Sequence, residues 1–178
     1  LKIDELHTSI GYVPQEVFLF SDTIKNNIAF GVKQDNVDNN LIETAAKQAD
    51  IYENINQFED GFETFIGERG ITLSGGQKQR ISIARALIKQ PDLLLLDDCL
   101  SAVDTRTEET ILKNLKSIMH NKTAIIIGHR ISSIKDADHI IVLDNGSIIE
   151  EGSHKQLIAK NGYYAQTYKK QLLNEMNK

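Results

Sequence analysis

The sequence has 178 residues, 40% of them hydrophobic and 25% charged, and a chain of that length folds around one core that buries about 70% of its unfolded surface. Such values exclude disordered, collagen-like and low-complexity classes, and 20 Lys and Arg against 25 Asp and Glu leave a net charge of −5, without the basic excess that grips a phosphate backbone. No nucleic-acid partner is expected. The longest purely aliphatic runs, Leu93 to Leu96 and Ala124 to Ile127, fall far short of the ~20 apolar residues that cross a bilayer. Cys99 is the single cysteine, so there is no internal disulfide and the compartment reads as reducing. The chain starts at Leu1 without an initiator Met, inside a charged, helix-compatible stretch, and is expected to be a piece of a longer protein.

In chain order, Ile10 to Val13 is a short β-prone run ended by Pro14. From Ser21 to Lys89 the pattern is helical: Ser21 and Asp22 are placed to cap a segment carrying Ile24 and Ile28, and Leu41, Ala45, Ala49 and Tyr52 follow at helical spacing. Beyond Pro91 strands and helices alternate. Leu93 to Asp97 reads as a buried strand, Thr107 to Met119 as a helix, and Ala124 to Ile127 as a second buried strand, because uninterrupted aliphatic runs suit a sheet covered on both faces. Ile131 to Ala137 reads as a short helix, Asn145-Gly146 as the turn of a hairpin between Ile140 to Leu143 and Ile148 to Glu150, and a last helix starts near Tyr163. This is an α/β lobe interrupted by a helical one.

Two stretches carry chemistry. In Leu73-Ser74-Gly75-Gly76-Gln77, two glycines at a helix entrance remove the Cβ atoms that would keep a phosphate from the backbone N–H groups, where the helix dipole favours negative charge. Alone, the pattern reads first as an ordinary capped helix start with a Gly-rich turn. Sixteen residues after Gln77, Leu93 to Leu96 leads into Asp97-Asp98. A buried parallel strand delivers such carboxylates to the crevice where α/β proteins bind ligands, one able to hold Mg²⁺ and the next to position a water. Ser101-Ala102-Val103-Asp104 follows directly, and His129 comes straight after the strand Ala124 to Ile127.

In this order and spacing the stretches resemble the ATP-binding-cassette (ABC) family of ATPases over essentially the whole chain. Gln15 in Tyr12-Val13-Pro14-Gln15 matches the family's Q-loop glutamine, Leu73 to Gln77 its signature, Asp97 its Walker B aspartate, Ser101 to Asp104 its D-loop and His129 its switch histidine. Phe18 to Ile24 with Asn27-Ile28, and Gly67-Glu68-Arg69-Gly70, resemble the exporter branch. The resemblance implies an α/β, P-loop NTPase-like (RecA-like) sheet lobe lacking its N-terminal strands and Walker A loop, with an inserted α-helical subdomain. Residues 1–178 would be the C-terminal portion of one nucleotide-binding domain, 1–20 and 90–178 in the catalytic lobe and 21–89 in the helical subdomain. It implies ATP and Mg²⁺ as cofactors, Asp97 and Gln15 at the metal, Asp98, His129 and Gln15 in catalysis, and Ser74, Gly75, Gly76, Gln77 and Asp104 at nucleotide. The implied partners are a second nucleotide-binding domain, packed head to tail, and the coupling helices of a membrane domain, met by Glu68, Arg69 and the region from Gln15 to Ile28. The implied location is the cytoplasmic face of the cell membrane.

Two departures qualify the match. None of the 11 glycines is followed by Lys, so the Walker A pattern Gly-x-x-x-x-Gly-Lys-Ser/Thr is absent, and the chain by itself is expected neither to hold Mg-ATP tightly nor to hydrolyse it. Asp98 stands where active members carry Glu. A catalytic group misplaced by about 1 Å costs ~10²-fold in rate, which points to a slow site in a heteromeric exporter of two unlike halves. The alternatives are a soluble ABC-type ATPase of DNA repair or chromosome organisation, which would need long coiled-coil heptads that are absent, and a non-hydrolysing domain that only lends its signature to a partner.

Overall fold

The structure, a computed structural model, describes residues 3–32, 37–67 and 71–176. The chain forms two compact units, Leu1–Ile127 and Gly128–Lys178, each with its own core, where chain length alone suggests one. In the first, β1 (Ile10–Val13), β2 (Leu93–Asp97) and β3 (Thr123–Ile127) make a parallel sheet in that order. Ile10 pairs with Leu93 and Leu93 with Thr123. Parallel neighbours require long crossovers. The first crossover holds α2 (Ile24–Ala29), α3 (Asn39–Gln48), α4 (Tyr52–Asn56) and α5 (Gly75–Leu87); the second holds α6 (Thr105–Ile118), and α1 (Ile3–Ser9) precedes β1.

Val13, Leu94 and Leu96 share one core with Ile24 and Ile28 of α2, Ile83 and Leu87 of α5, and Ile111 and Leu115 of α6. The other face differs from the expectation of a sheet covered on both sides. Tyr12, Ile125 and Ile127 are exposed, Ile127 by 57%, and β3 is exposed at every position except the half-buried Ile126. An aliphatic run records that a strand can be buried. Whether it is depends on what packs there, and among the described residues of this unit the helices cover one face only.

Local boundaries also shift. Asp22 is not the cap of α2: Thr23 is, its side chain accepting from the N–H of Asn26. The helical repeat from Leu41 to Tyr52 is broken at Asp50, which takes a φ of 56°; the N–H of Ile51 returns to the carbonyl of Ala46 and that of Asp50 to Lys47, the pair of hydrogen bonds that closes a helix C-terminus. α6 starts two residues early because Asp104 caps it through the N–H of Thr107.

The second unit contains α7 (Ile131–Ile134), an antiparallel hairpin of β4 (Ile140–Asp144) and β5 (Ser147–Gly152), α8 (His154–Lys160) and α9 (Tyr163–Met176). Asn145 and Gly146 both take positive φ, 46° and 77°, as the expected hairpin turn requires. Ile131, Ile140, Leu157 and Tyr164 form its core. The Glu150 carboxylate accepts from the N–H groups of Tyr163 and Tyr164 at 3.1 and 2.8 Å, capping α9. A Cβ on Gly162 would lie 1.6 Å from Glu150 Oε1, so this approach needs glycine.

Candidate nucleotide site

The site is built at the C-terminal end of β2. Asp97 ends the strand half-buried, and Asp98 turns out of it with a φ of 44°, a left-handed backbone that Asp and Asn tolerate better than other side-chain-bearing residues. Its N–H donates to the carbonyl of Ile127 at 2.9 Å, and its own carbonyl accepts from Ser101 Oγ at 2.9 Å and the Ser101 N–H at 3.4 Å. Gln15, just past β1, reaches the same place: Nε2 donates to Asp98 Oδ2 at 3.5 Å. The parallel pairing of β1 with β2 brings these two residues together from far apart in sequence.

At the start of α5, Ser74 and Gln77 close a capping box. The Ser74 N–H donates to Gln77 Oε1 at 2.9 Å and the Gln77 N–H to Ser74 Oγ at 3.2 Å. The first N–H groups of a helix have no intrahelical acceptor, and at α5 two of them belong to Gly75 and Gly76. The stretch Ser101 to Asp104 of the same chain lies against this end: a Cβ on Gly75 would be 3.5 Å from Ala102 Cβ, and one on Gly76 would be 3.0 Å from the Ala102 carbonyl oxygen. Asp104 is occupied as the cap of α6, and the N–H of Thr107 holds its carboxyl below the ordinary aspartate range. His129 belongs to the second unit, where it is exposed and its carbonyl accepts from Gln171 Nε2 at 2.8 Å. Glu68 and Arg69 lie outside the described residues.

Several residues escaped the sequence reading. Arg80 Nε donates to the Gly76 carbonyl at 3.3 Å, and its Nη1 to the Asp50 carbonyl and to Asn54 Oδ1. Burial pulls its guanidinium below the ordinary value, with Asp50 and Asp104 opposing. Arg85 donates to the carbonyls of Asn27 and Phe18 and to Asn27 Oδ1, at 2.7 to 2.9 Å. Asn27 is fully buried, and its amide also meets the backbone of Phe20 and Thr23. Above Arg85, Phe20 stacks with Phe18 and Phe30 at 5.1 and 4.4 Å between centroids. Phe18 and Phe30 remain 67% and 64% exposed, forming an apolar patch on the surface. Gln79 is buried at 6% exposure. The available signal for it was a polar residue on the apolar stripe Gln79, Ile83, Leu87.

The donor chemistry fits a nucleotide and a hard cation in part. Asp97 and the side-chain carbonyl of Gln15 are the oxygen ligands Mg²⁺ takes when phosphate and water complete its shell, and the glycines at α5 leave backbone amides uncovered by side chains. Among the described residues no group of three or more His, Cys, Asp or Glu could enclose a metal. Cys99 is buried, which pushes its thiol up to about 12 and makes it inert.

A parallel α/β sheet with paired carboxylates at a strand end, and a glycine-rich helix start packed against the loop that follows, offers oxygen donors and bare backbone amides at one edge of the fold. The chain belongs to the ABC transporter family, whose sequence profile, described as "ABC transporter", matches residues 1–101. It is 47% identical over 173 residues, 97% of this chain and 29% of the relative, to the probable multidrug resistance ABC transporter ATP-binding/permease protein YheI of Bacillus subtilis. It is 46% identical over 94% of this chain, and 29% of the relative, to the ATP-dependent lipid A-core flippase of Alcanivorax borkumensis. A bacterial Atm1-family ABC exporter solved with ATP bound superposes with a TM-score of 0.88 at 44% identity, over 95% of this chain and 30% of that one. The chain thus spans under a third of the length of the proteins it matches.

Proposed function

We propose that this chain is the signature- and Walker B-bearing part of the nucleotide-binding domain of an ABC exporter, and that it works in a head-to-tail pair of cassettes to drive transport with ATP. The observation that carries the reading is the meeting of Gln15 with Asp98 at the end of β2, since it gathers two residues of independent motifs at one strand end. Asp97 and Gln15 would hold Mg²⁺, and the bound Mg-ATP supplies the phosphoryl bond whose cleavage releases the closed pair. Asp98 orients and deprotonates the attacking water, and His129 contacts the γ-phosphate. Ser74, Gly75, Gly76, Gln77 and Asp104 serve the nucleotide held by the partner cassette. The relatives' printed names, a multidrug transporter and a flippase, favour export over DNA repair or chromosome organisation.

The region from Gln15 to Ile28, which carries Phe18 and Phe20, is assigned to the membrane domain's coupling helices at the cytoplasmic side of the membrane, as are Glu68 and Arg69. No helix among the described residues is long and apolar enough to cross a membrane, so in this reading the membrane helices are supplied by other parts of the transporter. Asp98 makes this chain's own Walker site the slow one of a heteromeric pair.

The test uses the complete transporter. Asp98→Glu restores one methylene of reach and is expected to raise hydrolysis at this chain's own site at least tenfold, within the ~10² that a misplacement of about 1 Å accounts for. The left-handed backbone makes Glu about 1 kcal/mol less comfortable there than Asp, a stability loss too small to hide the gain. The increase should disappear when His129→Ala is added. An Asp98→Glu transporter no faster than its parent in site-resolved nucleotide trapping would sink the slow-site reading, and one that hydrolyses nothing in either form would leave the signature-donating alternative.

A further inference from the structure

The turn that follows β2 is fastened to the start of α5 by one buried side chain. Gln79 Oε1 accepts from the N–H of Ala102 at 3.2 Å. The Ala102 carbonyl lies over Gly76, where an added Cβ would come within 3.0 Å of it. The N–H of Ala102 is therefore held by the first two turns of α5, and its carbonyl lies close against them. One residue earlier, Ser101 donates twice to the carbonyl of Asp98, and two residues later Asp104 begins α6. The backbone from Asp98 to Asp104 is thus tied to the sheet at one end, to a helix at the other, and to the signature helix in the middle. An amide on an apolar stripe costs free energy unless it is hydrogen-bonded. At the position of Gln79, with Ile83 and Leu87 one and two turns on, leucine would satisfy packing alone.

We propose that Gln79 is a positioning residue that couples the signature turn at Ser74 to Gln77 with the carboxylate of Asp98. This rests on the head-to-tail reading above, in which one chain's signature serves one ATP site and its Asp98 serves the other. The bond from Ala102 to Gln79 then lies on the short covalent and hydrogen-bonded path between the two sites inside a single chain. A shift of the signature helix as it closes on the partner's phosphate moves the Asp98 turn with it, so closure at one site sets the geometry of the base at the other. Such coupling is an energetic link between sites, and its sign is that both change together.

The experiment is done on the complete transporter with Mg-ATP, using an azido-ATP label to resolve the two sites. Gln79→Leu keeps volume and removes the acceptor. It is expected to lower turnover about tenfold with KM for ATP within twofold, to lower trapping at both sites in parallel, and to reduce the Hill coefficient for ATP towards one. Gln79→Glu keeps an acceptor for the Ala102 N–H and should recover at least half of the lost turnover and the Hill coefficient. If Gln79→Leu does not assemble, Gln79→Asn withdraws the acceptor by one methylene and must show the same parallel loss.

Parent-level turnover in the assembled Leu or Asn variant, loss confined to one site, or a Glu variant as impaired as Leu at an unchanged melting temperature would each overturn the proposal. A parent complex that labels neither site with ATP points instead at the reading on which the proposal rests.

Discussion

The two units of the chain start a helix with the same chemistry and use it differently. At α5 the cap is Ser74 with Gln77; at α8 it is Ser153 with Gln156, where the Ser153 N–H donates to Gln156 Oε1 at 2.8 Å and the side chain of Ser153 accepts in return. The residues between differ. In α8 they are His154 and Lys155, and the His154 ring bonds the Tyr164 hydroxyl at 2.8 Å and packs edge-on against Tyr168. In α5 they are Gly75 and Gly76, which bring no side chain and admit the backbone of Ala102. The Ser-x-x-Gln frame is common helix grammar. What sets α5 apart is the bare backbone inside the frame.

The comparison breaks most sharply at the second helical position. Gly76→Asp puts a carboxylate against the Ala102 carbonyl and, in the proposed head-to-tail pair, where the partner's phosphate would lie, so ATP hydrolysis by the complete transporter should fall about 10²-fold or more. Lys155→Asp, the matching position of α8, should leave the rate within twofold. Turnover at the parent rate in the first variant would show that the signature does not face nucleotide.

Between the two glycines the expected effects are smaller and unequal. Gly76→Ala places a methyl group 3.0 Å from a backbone oxygen and should cost about 1–3 kcal/mol by denaturant titration of the chain, the range for overpacking. Gly75→Ala meets Ala102 Cβ at an ordinary 3.5 Å and should change stability by no more than ~0.5 kcal/mol. Equal losses would mean that the D-loop is not seated as described.

Ser74→Ala and Ser153→Ala should match each other, each costing about 1 kcal/mol as a lost cap, while only the first lowers ATP turnover. A loss of similar size, about 0.5–1.5 kcal/mol, is expected at Tyr164→Phe, which removes the bond to His154. Burial pushes the Tyr164 phenol up to about 12, from an ordinary 10. The native state therefore holds that proton more tightly than the unfolded chain, so this contribution is intact below pH 10 and is lost as pH rises from about 10 to about 12. A pH titration of stability that is identical for parent and Tyr164→Phe across this window would contradict the assignment.

The local elements were legible because they obey local rules. Asn145-Gly146 demands two positive φ angles and makes its hairpin, and Ser74 with Gln77 marks the start of α5. Motif order listed Gln15 and Asp98 in one catalytic set without saying that they meet; the contact comes from the parallel register of β1 on β2. Other features are set by tertiary surroundings. The aliphatic run of β3 carries no information on which face is covered, and composition does not disclose that Asp98 leaves the strand with a left-handed backbone. Gln79 looks like one more polar helix residue until the N–H of Ala102 is seen to need it.

The register of β1 against β2 also sets a schedule for synthesis. Ile10 pairs with Leu93, so β1 emerges from the ribosome with its partner still about 80 residues away. At roughly 5–20 residues per second, that is several seconds of waiting. During that interval α2, α3 and α4 have each other to pack against, as Ile24, Ile28, Ile42 and Ile55 do in the finished core, whereas Val13 is still without Leu96, its partner on β2. A slow stretch of codons placed just after Leu96 would lengthen the exposure of an apolar strand without changing a single residue of the product.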